Sequence, residues 1–141
     1  MVTSSPAVAR MSVVGIGVDL VHVPSFGEQL GQPGTRFDRA FTPGERGDAR
    51  DRPSDPARHL AARWAAKEAV IKAWSASLFG RPPVTDEAIH QLIEVVTDAW
   101  GRPRIRLLGQ VAQHLADHDI ELSLSHDGDY AIAYVVLSRT Q

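Results

Sequence analysis

Residues 60–78 read Leu60-Ala-Ala-Arg-Trp-Ala-Ala-Lys-Glu-Ala-Val-Ile-Lys-Ala-Trp-Ser-Ala-Ser-Leu78 and form the body of a long helix. A cap at Ser54 or Asp55, with Pro56 at the first helical position, opens it; Gly80, Pro82 and Pro83 stop it. At about 100° per residue, Leu60, Trp64, Lys67, Ile71, Trp74 and Leu78 fall on one stripe. Ala61, Ala62, Ala65, Ala66, Ala69, Ala73 and Ala76 fall opposite. One side presents large groups and the other admits another backbone, so the helix is expected to be covered on both sides. Glu68 and Lys72 lie four apart on the flank between these faces, near Ser75. Arg63 lies on the other flank, and Lys67 interrupts the apolar stripe itself. Charges beside packed faces are costly unless paired or ligated. The plain alternative is an exposed i,i+4 Glu–Lys pair worth about 0.3–0.5 kcal/mol.

Upstream, residues 12–19 alternate as a strand: Val14, Ile16 and Val18 face one way, and Gly15, Gly17 and Asp19 the other. Two glycines leading to a carboxylate clear space in front of it, since strand glycines mark close approach. A short helix is predicted over 24–32. Residues 33–56, rich in Pro, Gly, Asp and Arg, read as mobile loops with one turn after Pro43. Downstream, 91–98 and 103–108 read as strands and 109–118 as a short helix. Residues 120–126 and 129–137 read as strands around Asp127-Gly128, a hairpin signal. This order predicts an α+β fold with a mostly antiparallel sheet packed against the long central helix. Residues 1–11 read as a flexible N-terminal tail and 12–141 as one domain, since domains cluster at roughly 100–150 residues.

The chain has 141 residues, with fifteen basic side chains against seventeen acidic ones. A net charge of −2 argues against a protein built mainly to hold nucleic acid. With no cysteine, disulfides, thiolate metal sites and a cysteine nucleophile are excluded. No apolar run approaches the roughly 20 residues that cross a bilayer. Nor does the N-terminus have the apolar core of a secretion signal. A cytoplasmic protein is the expectation. A chain of this length buries only about two-thirds of its surface, so an oligomer would help it. The only lysines are Lys67 and Lys72, five residues apart in a chain that otherwise uses arginine. Such a pair suits sites that need a compact ammonium, or else reflects arginine-favouring codons.

Asp19 at a strand end, Glu68 on the helix flank and His126 before the hairpin turn are the candidate site. Two hard oxygen ligands without cysteine suit Mg²⁺, which binds through one or two carboxylates together with phosphate oxygens and water. Lysine and arginine nearby would hold further phosphate charge. The set describes a site for a pyrophosphate-containing substrate, reached without a Walker-type loop. His114 and His118 lack a third ligand of matching spacing and read as a surface pair.

Four blocks then resemble a known family: Gly15-Ile16-Gly17-Val18-Asp19, Phe41-Thr42-x-x-Glu45, Arg63-Trp64-Ala65-Ala66-Lys67-Glu68-Ala69-Val70-Ile71-Lys72-Ala73, and Ser123-Leu124-Ser125-His126. Together they are similar to the holo-acyl-carrier-protein synthases, the short 4′-phosphopantetheinyl transferases, over about residues 12–137. The likeness is strongest to actinobacterial members. It implies an α+β homotrimer that moves 4′-phosphopantetheine from coenzyme A to a serine of acyl carrier protein, releasing adenosine 3′,5′-bisphosphate, for fatty acid biosynthesis. Coenzyme A would lie in clefts between subunits. By motif position, Asp19 and Glu68 would hold Mg²⁺, and Lys72 would stabilise phosphate charge. Arg63, Lys67 and His126 would line the coenzyme A site, with His126 supplied by the adjacent subunit.

For the proton of the serine, Glu68 is the first candidate base and Asp19 the second. Glu45 matches a motif position whose role the resemblance leaves open. Two departures stand out: Ser25 replaces a frequent arginine, and Ser75-Ala76-Ser77 replaces a glycine-rich turn. Arg36, Arg39, Arg46 and Arg50 would meet an acidic carrier protein, unless they are merely solvated loop charges. The same ligands would also serve a Mg²⁺-dependent nucleotide phosphohydrolase, or be structural in a non-catalytic trimer. Titration with coenzyme A, with and without Mg²⁺, separates the three.

Overall fold

The computed structural model describes residues 10–52, 55–85 and 88–140, with only the backbone at Arg36 and Asp38. Most of the expected tail and the alternative cap Ser54 lie outside the described residues. The long helix α3 spans Pro56–Ser77, and the Asp55 side chain caps it by accepting from the Arg58 N–H at 3.0 Å. It runs on through Ser75-Ala76-Ser77, so no turn forms where the family's glycines often stand.

Strand β1 (Met11–His22) leads into α1 (Val23–Leu30), and α2 (Pro43–Arg50) precedes α3. After α3 come β2 (Ile93–Thr97), β3 (Pro103–Leu107), α4 (Gly109–His114), β4 (His118–Asp127) and β5 (Tyr130–Thr140). All pairings are antiparallel: one sheet in the order β1-β5-β4 and a separate β2-β3 hairpin. Gly128 alone among the residues of the β4–β5 turn takes positive φ, at the first loop position, as a tight hairpin turn requires.

Helix α3 lies across the inner face of the large sheet. A Cβ added at Gly15 would sit 1.9 Å from the Ala73 carbonyl oxygen, and one at Gly17 would sit 1.8 Å from that of Ala69. The two glycines and the alanine face of α3 therefore let strand and helix meet backbone to backbone. The other side of α3 is covered too: Trp64 packs edge-on against Phe37 at 4.7 Å between centroids, in a cluster with Phe26, Phe41 and Leu60. Coverage on both sides was the expectation from the stripe pattern.

Several local expectations change. A bulge between Val13 and Gly15 turns Val14 onto the inner core, away from the side of Ile16 and Val18. Met11 pairs with Thr140, so the sheet begins one residue before the expected domain start. Between residues 36 and 50 the chain carries more regular structure than its composition suggests. A 3₁₀ turn spans Arg36–Arg39, and α2 carries a full capping box between Thr42 and Glu45. His118 belongs to β4, so His114 and His118 share no helical face.

Candidate active site

Close contact between β1 and α3 brings Asp19 to Lys72. The Lys72 ammonium donates to Asp19 Oδ1 at 2.9 Å and to the Val18 carbonyl at 3.0 Å. Burial raises the Asp19 carboxyl above its ordinary value; Lys72 pulls it back by hydrogen bond and charge, and the charge of Glu68 adds to the rise. Asp19, Glu68 and Lys72 thus share one electrostatic neighbourhood, as the sequence suggested. The glycines do clear space, but the α3 backbone fills it, and the consequence is the placement of Asp19.

Glu68 has a partner that no motif indicated. Its Oε1 lies 3.1 Å from His90 Nε2, and the His90 ring stacks on Trp64 at 4.4 Å and 9° between planes. Glu68 and His90 also line a cavity of about 300 Å³ whose apolar wall includes Ile71, Trp74 and Ile89.

Arg63 and His126 meet elsewhere, in a larger cavity of about 730 Å³ between the first turns of α3 and strand β4. Arg52, Arg58 and His59 join them there. Arg63 is only 8% exposed, and its Nε, like Nε2 of His59, is buried without a hydrogen-bond partner. Burial, then the charges of Arg63 and Arg52, push the His59 imidazole down to about 4. Burial likewise lowers the Arg63 guanidinium from its usual range. Within one chain the expected residues therefore divide between two places on either side of α3.

Lys67 joins neither. It has no exposed surface, and its ammonium donates to Glu45 Oε1 at 2.7 Å and to the carbonyls of Ile93 at 2.5 Å and His90 at 3.0 Å. Its three protons are used within the fold, whereas the resemblance had implied a place lining the coenzyme A site. Glu45 in turn accepts from Thr42 N–H at 3.0 Å and Val95 N–H at 2.9 Å, tying α2 and β2 to α3. Burial lowers the Lys67 pKa from its usual value, and the charge of Glu45 opposes the shift. At Ser25, in place of the family arginine, the N–H is capped by His22 Nδ1 at 3.3 Å.

The sequence pattern of the 4′-phosphopantetheinyl transferase superfamily matches residues 15–135. The chain belongs to this superfamily. Holo-[acyl-carrier-protein] synthase of Mycobacterium ulcerans is 63% identical over 130 residues, covering 92% of this chain and all of that protein. The synthase of Mycobacterium tuberculosis is 62% identical over 127 residues, covering 90% and 98%. Both relatives are mycobacterial, in keeping with the actinobacterial likeness. Among solved structures, the Mycobacterium tuberculosis acyl carrier protein synthase superposes with a TM-score of 0.76 at 55% identity, covering 91% of this chain and 99% of that one. A Chronobacterium ammoniagenes synthase in complex with coenzyme A gives 0.83 at 47%, covering 94% and 98%. The α+β architecture is thus that of the transferase superfamily.

Proposed function

We propose that the chain transfers 4′-phosphopantetheine from coenzyme A to a serine of an acyl carrier protein, as a homotrimer in the cytoplasm. The observation that carries this reading is the Lys72–Asp19 contact beside Glu68, within a chain of this superfamily.

The donor set fits Mg²⁺. Asp19 and Glu68 are hard oxygen donors held close enough to repel, and a cation relieves that repulsion. Among the described residues no three His, Asp or Glu side chains converge to hold a metal ion alone, so phosphate and water oxygens would complete the shell. When bound, the ion supplies Lewis-acid charge for in-line displacement at the pyrophosphate. Glu68 takes the proton of the carrier serine as its oxygen attacks phosphorus. The bond to adenosine 3′,5′-bisphosphate breaks, and Lys72 neutralises charge on the departing phosphate. Most of the rate then comes from positioning and charge.

The basic cavity suits the other, phosphate-bearing end of coenzyme A. Because Arg63 and His126 stand apart from Asp19, Glu68 and Lys72, one copy's cavity would complete its neighbour's carboxylate site. A face for the neighbour exists: Ile16, Val18 and Leu20 of β1 and Ile132 and Tyr134 of β5 project outward from the sheet, all at least 37% exposed. No helix among the described residues is long and apolar enough to cross a membrane. Arg39 and Arg50 are exposed and Arg46 half-buried at α2 and the turn before it, where an acidic carrier would dock. Salt should then slow transfer. The deciding experiment is mass spectrometry of an apo carrier protein after incubation with coenzyme A and Mg²⁺. A phosphopantetheine adduct is expected, and an unmodified carrier overturns the reading.

A further inference from the structure

Three residues of one helix turn, Trp64, Lys67 and Glu68, converge on a single residue, His90, 22 or more positions away. The Lys67 ammonium holds the His90 carbonyl at 3.0 Å. Trp64 lies flat against the His90 ring. Glu68 Oε1 meets His90 Nε2 at 3.1 Å; a carboxylate only accepts, so the ring nitrogen donates. Backbone, ring plane and ring nitrogen are each fixed by a different group. Lys67 is itself fully buried and locked to Glu45, so the arrangement is anchored in the interior.

We propose that His90 is a positioning residue for Glu68: it holds one carboxylate oxygen so that the other is presented toward Asp19 and the phosphate. This rests on the reading of Glu68 as metal ligand and base. A donor on one oxygen narrows the orientations open to the carboxylate without touching substrate. Outer partners of this kind typically change metal affinity by 10–100-fold when removed.

The test compares His90→Phe, which keeps a ring against Trp64 but has no donor, with His90→Gln, whose amide donates from nearly the same place. Mg²⁺ binding to the protein–coenzyme A complex is read by titration calorimetry, and transfer is read as kcat and as KM for coenzyme A. Thermal melts confirm folding. His90→Phe should weaken Mg²⁺ roughly 10-fold or more and lower kcat with little change in KM. His90→Gln should recover most of both. Wild-type Mg²⁺ affinity and kcat in His90→Phe overturn the proposal, as does equal impairment of the two folded variants. Glu68→Gln is run beside them: if it leaves Mg²⁺ binding unchanged, the parent reading of Glu68 fails, whereas an impaired Glu68→Gln with an unaffected His90→Phe removes only the role of His90.

Discussion

Gly17 and Ala69 stand so close that a single carbon added to Gly17 would lie 1.8 Å from the Ala69 carbonyl oxygen. The obstacle is backbone on both sides, so neither partner can swing away. That contact holds β1 on α3 and thereby sets Asp19 beside Lys72. Gly17→Ala should cost about 3 kcal/mol, the upper end for overpacking. It should also weaken transfer by shifting Asp19. Guanidinium unfolding checks the first expectation and a carrier-modification assay the second; wild-type stability would contradict the packing argument.

Lys67 separates structural from binding roles. Lys67→Met leaves Glu45 charged and unpaired in the interior, where breaking a buried pair costs about 3–5 kcal/mol. The expected result is a large loss of stability. A Lys67→Met protein that melts like the wild type but binds coenzyme A poorly would return Lys67 to the substrate site.

Glu68→Gln keeps the shape of a partly exposed side chain and removes its charge. Melting should shift little, while transfer falls by roughly 10²–10⁴-fold, the range for a general base. Near-normal turnover, followed by mass spectrometry of the carrier, would remove Glu68 from the chemistry.

Complementation tests the divided site. Glu68→Gln and His126→Ala chains should each be weak alone. Mixed and re-assembled, they should regain activity, because some clefts then receive an intact half from each chain. Recovery no greater than the sum of the separate activities would show that one chain holds a complete site.

His59 gives a signed pH dependence. Its imidazole falls from the ordinary 6.5 to about 4 in the fold, so the unfolded chain binds a proton first as pH drops. Stability from the neutral ring is fully present above pH 6.5 and is lost as pH falls toward 4. At about 1.4 kcal/mol per unit, roughly 2–3 kcal/mol of it is gone by about pH 4.5. Denaturant unfolding at pH 7 and pH 4.5 should show a smaller drop in His59→Phe than in the wild type. Equal drops would contradict the assignment.

Periodicity made α3, its two covered sides and the terminal hairpin legible, because each depends on local spacing and turn chemistry. The Asp19–Lys72–Glu68 neighbourhood was legible through the glycines and the helix flank. What escaped depended on pairings remote in the chain. Lys67 finds Glu45 from 22 residues away, and residue type alone does not tell a buried ammonium from one facing a ligand. Thr42-x-x-Glu45 had the spacing of a capping box, a local signal of α2 that the reading of 33–56 as loops passed over. The bulge at Val14 left no mark, since a strand with one extra residue still alternates on either side of it. Nor did any spacing mark His90, whose place depends on how the chain returns after α3.

The fate of the two lysines has a practical side. Lys67 is sealed within the protein, while the Lys72 side chain is 53% exposed. Apart from the chain's own terminal amine, a mild acylating reagent thus meets one reactive nitrogen in the folded described chain. Labelling by such a reagent, and protection from it by bound coenzyme A, would report occupancy at Lys72 without mutation.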